Sequence, residues 1–190
     1  MIYYYGSAFN PMTLAHQNII KDLAKTFTNF NDILIIGVST HEYKEYSYDA
    51  VTRYYMAYNF MSKNYNITFR WKVYYQFART WEFFHKVFSE EEQKDICLII
   101  GQDEYDSLKA GEWEHSEDIL NTYQIKVIPR TDNISSSAVR ELFNTEEIPE
   151  YDSVKHLISK EVYDTLIDQI EGLKTLKEEE NIESENPDIE

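Results

Sequence analysis

At 190 residues and 22.7 kDa, with 43% hydrophobic and 27% charged residues, the chain has the size and composition of one soluble, fully cored domain. It holds no apolar run approaching the roughly 18–20 residues of a membrane span, so no membrane partner is expected. A net charge of −16 and a pI near 4.7 exclude the basic face that a phosphate backbone demands, so no nucleic acid is expected either. A locally positive pocket for a small phosphorylated ligand stays compatible with that charge. Cys97 is the single cysteine, inside the apolar "DICLIIG", and reads as a buried, inert thiol. With no basic-then-apolar leader, the expected location is cytoplasmic.

In chain order, "IYYY" (2–5) reads as a short buried strand. From Leu14 to Phe27, Ile20, Leu23, Ala24 and Phe27 recur at helical spacing. "DILIIGVS" (32–39) is an apolar run of the kind covered on both faces of a sheet. Residues 49–63 predict a helix, with Val51, Tyr54, Tyr55, Tyr58 and Met61 on one broad face. A strand over 66–75, a helix over 79–88 and a buried strand over 95–101 follow. One or two short helices over 103–121 break near Gly111, and "YQIKVIP" (123–129) is the next strand. Helices are predicted over 136–144 and 159–173, the latter with a stripe of Val162, Leu166, Ile170 and Leu173.

Strands alternating with helices predict an α/β fold: a Rossmann-like, doubly wound parallel sheet with helices on both faces, in a single domain over residues 1–175. The remainder, 176–190, is acidic and almost without apolar residues, and predicts a disordered tail. In such folds ligands gather beyond the carboxyl ends of the strands, where Gly6, Gly37 and Gly101 fall.

Two segments there carry chemistry. In "GSAFNPMTLAH" (6–16), Gly6 and Ser7 keep the backbone bare for a phosphate or sugar, and Thr13 is placed to cap the next helix. Helix-start amides make an anion site, and His16 lies in the first turn facing it. Thr13 as a plain cap and His16 as a surface histidine are the competing readings. No Gly-x4-Gly-Lys-Ser/Thr pattern is present. In "NISSSAVRELF" (133–143), Ser135 or Ser136 can cap a second helix whose hydroxyls and amides form another anion cradle, with Arg140 one turn on for a bidentate contact.

"TLAH" and "ISSSAVR" together resemble the two signature motifs of the nucleotidyltransferase α/β-phosphodiesterase superfamily. Within it, "GSAFNPMTLAH" is similar to the opening of nicotinamide and nicotinate mononucleotide adenylyltransferases, and "IIGQDEYDSLKAGEWEHSEDI" (99–119) to their Gly-x-Asp and tryptophan stretch. "STHEYK", Arg53, Met56 and "ARTWEFF" match weaker positions, so the resemblance spans roughly 2–171. Ala15 stands where the family usually has glycine, and Ser137 where threonine is common.

The resemblance implies transfer of AMP from ATP to a pyridine mononucleotide, with Mg2+ carried on ATP by phosphate and water rather than by protein side chains. It implies His16, Thr13 and Arg140 as the catalytic set. It implies an ATP site of Gly6, Ser7, Ala8, Phe9, Thr13, His16, Gly101, Asp103, Ile134, Ser135, Ser136 and Arg140. Mononucleotide contacts fall to Lys44, Arg53, Thr80, Trp113 and Arg130. Packing for Trp113, helix capping for Asp103 and a surface ion pair for Arg53 are the alternative readings. His41, His85, His115 and His156 show no metal-ligand spacing and read as structural or surface residues. Rival functions are a sister enzyme such as phosphopantetheine adenylyltransferase, and a non-catalytic nucleotide sensor. Nicotinate against nicotinamide, and a homo-oligomer against a monomer, are left open.

Overall fold

The computed structural model describes residues 1–27, 29–42, 44–65, 69–129, 134–145 and 147–185. Five strands, β1 (Ile2–Ser7), β2 (Ile33–Ser39), β3 (Trp71–Gln76), β4 (Ile96–Gly101) and β5 (Gln124–Ile128), form one sheet in the order β3-β2-β1-β4-β5. Every neighbouring pair is parallel, with Gly6 opposite Gly37 and Tyr5 opposite both Ile36 and Ile99. The order reverses between β1 and β4, so their carboxyl ends open onto the crevice that such sheets use for ligands.

Helices α1 (Leu14–Thr26), α2 (Ala50–Asn64), α3 (Thr80–Val87), α4 (Glu90–Gln93), α5 (Gln102–Lys109), α6 (Ser116–Thr122), α7 (Ser136–Phe143), α8 (Tyr151–Val154) and α9 (Lys160–Glu185) cover both faces. The cores differ by face, as the alternation of a strand requires. Tyr5, Ile36 and Ile99 pack with residues of α1, α2, α7 and α9, while Tyr4, Ile35 and Leu98 pack with α3, α5 and α6. The expected α/β sheet, doubly wound in one domain, is the observed one.

Three differences from the sequence expectations have physical causes. In α2 the buried residues are Thr52, Arg53, Met56, Ala57, Phe60 and Met61, while Val51, Tyr55 and Tyr58 are exposed. Tyrosines at 54, 55 and 58 mimic an apolar face, and the true face contains an arginine that polarity assigns outward. The strand expected over 66–75 begins at Trp71; 66–68 lie outside the described residues. Helices α4 and α8, four residues each, are too short to show a period.

α9 continues as helical backbone to Glu185, across the boundary at 176 where the composition predicts a tail. Glutamate and lysine favour helix locally. Its packing is concentrated earlier: Val162 and Leu166 are fully buried and Leu173 is exposed. Truncation after Leu176 is therefore expected to leave the melting temperature and turnover nearly unchanged; a marked loss of either would show that the acidic segment docks on the fold.

Two glycines at the strand ends serve packing. A Cβ on Gly37 would stand 1.8 Å from the Tyr4 hydroxyl, and one on Gly6 would stand 3.0 Å from Tyr4 Cε1. The Tyr4 hydroxyl donates to Gln76 Oε1 across these two positions. The bareness read as clearance for a phosphate thus also makes room for a buried tyrosine.

Candidate active site

The loop after β1 turns through Phe9, whose φ of +46° is the left-handed region that costs an L-residue roughly 1–2 kcal/mol. Full burial of its ring offsets that cost, and the ring packs edge-on against Tyr5 and against His16, 5.1 Å between centroids. Phe9 therefore supports the site from beneath and offers no side-chain face to a nucleotide.

Thr13 stands at the N-cap position of α1 and is fully buried. His16, three residues on, turns back: the Thr13 N–H donates to His16 Nδ1 at 3.0 Å, and Thr13 Oγ1 lies 2.9 Å from the same nitrogen. A nitrogen that accepts a backbone N–H carries no proton in the neutral ring, so the proton sits on Nε2. Nε2 lies 3.3 Å from Ser7 Oγ at the end of β1. Burial pushes the His16 pKa down to about 4, so the ring is a neutral donor at physiological pH. Thr13 thus holds the His16 ring through both its backbone N–H and its hydroxyl.

The second motif is bolted to the first. Ser136 Oγ donates to Pro11 O at 2.8 Å, and Arg140 Nη1 donates to Asn10 O at 2.6 Å. Arg140 Nη2 also donates to Ser137 Oγ at 2.8 Å, so this fork is partly spent inside the protein. Ser135 caps α7, accepting from Ala138 N at 3.2 Å, and Ile134 precedes it half-buried. The bonds between Ser136, Arg140 and the Asn10–Pro11 turn bring the starts of α1 and α7 together, as an extended polyanion requires.

Beside them opens a cleft of about 740 Å³ lined by Gly6, Ser7, Ala8, Lys44, Thr80, Asp103 and Trp113 among others. Seven residues expected at the ligands thus share one cleft. Gly101 ends β4 at its rim, donating its N–H to Glu104 Oε2 at 3.3 Å. Burial raises the Glu104 carboxyl above its usual range, with the Gly101 N–H opposing. Arg140 lines a separate hollow of about 560 Å³ with Tyr48, Ser137 and Gln169.

Among the described mononucleotide contacts, Arg53 stands outside this cleft. Arg130 lies outside the described residues. Arg53 is a correction: it is 1% exposed and donates to the carbonyls of Tyr48 (3.0 Å), Ala8 (2.7 Å) and Ser39 (2.7 Å) and to Thr40 Oγ1 (2.6 Å). Its guanidinium also lies 4.0 Å over the Tyr46 ring. It is no surface ion pair, and three carbonyls with the Thr40 hydroxyl take four of its five N–H donors, which leaves no fork for a phosphate.

His41, read as a structural or surface residue, lines the cleft with Lys44 and Arg79. Burial first, then the cations Lys44, Arg79 and Arg53, hold its ring below the ordinary histidine range. Its place directly after β2, at a carboxyl strand end, was the available signal. Arg79, Glu104, Glu112 and Glu114 were missed as well; Arg79 and Glu114 pair at 2.8 Å across the mouth. The cleft is thus cationic on the β2 and α3 side and acidic on the α5 side.

A parallel sheet with two helix starts joined at its switch point defines a nucleotidyltransferase-type α/β domain. Residues 4–148 match the cytidylyltransferase-like family, and the chain belongs to that family. Among solved structures it is similar to a Vibrio parahaemolyticus protein assigned as a nicotinate-nucleotide adenylyltransferase: TM-score 0.61, 19% identity, 87% of this chain and 97% of that one. It is also similar to Plasmodium falciparum nicotinic acid mononucleotide adenylyltransferase complexed with NaAD: TM-score 0.61, 16% identity, 88% and 95% covered. The same enzyme complexed with APC aligns at TM-score 0.56 and 15% identity, with 88% and 94% covered. At these identities the likeness is one of fold. No curated protein matches the chain in sequence.

Proposed function

We propose that the chain transfers AMP from ATP to the 5′-phosphate of a pyridine mononucleotide, nicotinate mononucleotide foremost, releasing pyrophosphate. The observation that carries the reading is the pair of bonds from Ser136 and Arg140 to the Asn10–Pro11 turn, which tie the loop leading into α1 to the start of α7. An oxygen of the acceptor phosphate bonds to the α-phosphorus as the bond to the β-phosphate oxygen breaks, and the electron pair leaves with pyrophosphate. The acceptor is already an anion, so no protein base is required. His16 Nε2–H donates to the α-phosphate, and the starts of α1 and α7, with the Ser135 hydroxyl and the Ser136 backbone N–H, stabilise the leaving charge. Arg140 steadies the turn between them.

A divalent cation belongs to this reading only as the companion of ATP, where Mg2+ neutralises phosphate charge. Among the described residues no group of three or more His, Cys, Asp or Glu gathers to hold one. Asp103 and Glu104 suit sugar hydroxyls. Lys44, His41 and the start of α3 at Thr80 suit the acceptor's phosphate and ring carboxylate. The Plasmodium falciparum protein of similar fold is named a nicotinic acid mononucleotide adenylyltransferase, and a cationic wall favours that carboxylate over an amide.

Incubation with ATP, magnesium and each candidate acceptor in turn, with products identified by mass, tests the reading. Deamido-NAD is the expected product. Nucleotide binding without pyrophosphate release would mark a sensor, and turnover only with phosphopantetheine a sister enzyme. Trp113 is assigned to the acceptor ring, so Trp113→Ala is expected to weaken mononucleotide binding by about 1–3 kcal/mol with ATP affinity held. Calorimetry on both ligands checks it, and an equal loss for ATP would return Trp113 to packing.

A further inference from the structure

We infer that the outer edge of β3 is a homodimer interface, in which two copies pair β3 antiparallel about a two-fold axis through Val73 and extend the sheet across both subunits.

β3 is the last strand on its side of the sheet. Arg70 O and Gln76 O accept from Leu34 N and Thr40 N on the β2 side. Backbone direction alternates along a strand, so Trp71, Val73 and Tyr75 aim their N–H and C=O groups outward. Among the described residues no backbone hydrogen bond meets them there. The strand also lacks the usual protections of an edge: it has no proline, and Lys72 is its one charged residue.

A continuous aromatic surface flanks this edge. Phe77 stacks on Tyr75, Tyr75 on Tyr54 at 4.5 Å, Tyr54 on Tyr58, and Tyr58 meets Trp71 edge-on. Phe77, Tyr55, Tyr58 and Val51 are exposed. Contiguous apolar surface of this kind marks an interaction site.

Charge selects a second copy as the occupant. None of the chain's 34 acidic residues falls within 50–81, the stretch that builds α2, β3 and the start of α3. Two molecules of net charge −16 repel over most of their surfaces, and this is where they can meet without opposing carboxylates. The same overall charge disfavours a nucleic acid, despite the aromatics and the nearby Arg70 and Lys72. A two-fold axis at Val73 sets each outward donor against an outward acceptor and brings Trp71 opposite the other copy's Tyr75, a favourable cross-strand aromatic pair.

Analytical ultracentrifugation of the full chain is expected to give a concentration-dependent species of about twice the 22.7 kDa monomer mass. Salt should strengthen it, because screening relieves the repulsion between acidic copies. Tyr55→Glu with Phe77→Glu should return the monomer with its melting temperature kept. Val73→Cys should cross-link the dimer on oxidation, since directly paired strand residues lie about 5.5 Å apart, within disulfide reach. Lys72→Cys, off the axis, should not. A wild-type monomer at about 100 µM, well above a micromolar Kd, would overturn the inference. A dimer that survives the glutamates, weakens with salt, or leaves Val73→Cys uncross-linked would place the interface elsewhere and overturn it equally.

Discussion

Arg53→Ala is expected to destabilise the protein by about 3–5 kcal/mol, a loss on the order of 10 °C in melting temperature for a domain of this length. The side chain is buried and holds the carbonyls of Ala8, Ser39 and Tyr48 together. Without it those acceptors remain desolvated and unpaired, which costs more than the bonds contribute net. The injury should also spread to the site. Arg53 lies over Tyr46, whose hydroxyl accepts from His41 N, so the loop carrying His41 and Lys44 loses its anchor. Arg53→Lys is expected to rescue little, because one ammonium cannot span the same fork of acceptors. A near-normal melt with a selective rise in KM for the mononucleotide would instead return Arg53 to the ligand.

That residue also marks the boundary of what the sequence discloses. Strands β1, β2 and β4 were legible because runs buried on both faces are apolar throughout, and α1 because its period is uninterrupted. The pairing of "TLAH" with "ISSSAVR" was legible because helix-start chemistry is local: cap, amides and first-turn side chains lie within a few residues. What stayed hidden is long-range. The bond from Arg140 to Asn10 spans 130 residues of sequence, and Arg53 reaches Ala8 across 45. Nothing in composition reveals that a guanidinium is spent on carbonyls rather than on phosphate. His41 and Glu104 reach the cleft through the sheet order β3-β2-β1-β4-β5, which juxtaposes the ends of β2, β1 and β4. Gly6 and Gly37 are visible in sequence as glycines at carboxyl strand ends, but that Tyr4 fills the space a Cβ would take at either is not.

His16→Ala is expected to lower kcat by about 10²–10³ while ATP affinity changes far less. The warrant is the ring's fixed tautomer. Thr13 N–H occupies Nδ1, Phe9 packs edge-on against the ring, and Nε2–H donates to Ser7 Oγ at 3.3 Å, a long bond that a phosphate oxygen can replace. A donor held in this way pays little reorganisation when charge grows on the α-phosphate, so its effect concentrates in the transition state. Ground-state ATP keeps the starts of α1 and α7. Thr13→Val separates positioning from donation: it removes Oγ1 and keeps the backbone N–H on Nδ1, so kcat should fall by about tenfold or less, far short of the full loss. The pH response gives an independent readout. The folded ring ionises near 4 and the unfolded ring near its ordinary value, so the unfolded state binds the extra proton between about 4 and 6.5. The stability His16 contributes is therefore complete above that window and lost as pH falls through it. His16→Gln should flatten the melting temperature against pH over that range, and kcat of the wild type should show no inflection near 6.5 from this residue. If His16→Ala retains near-normal kcat while the melt-against-pH slope flattens, the histidine is a buried structural ring and the transition-state role assigned to it is wrong.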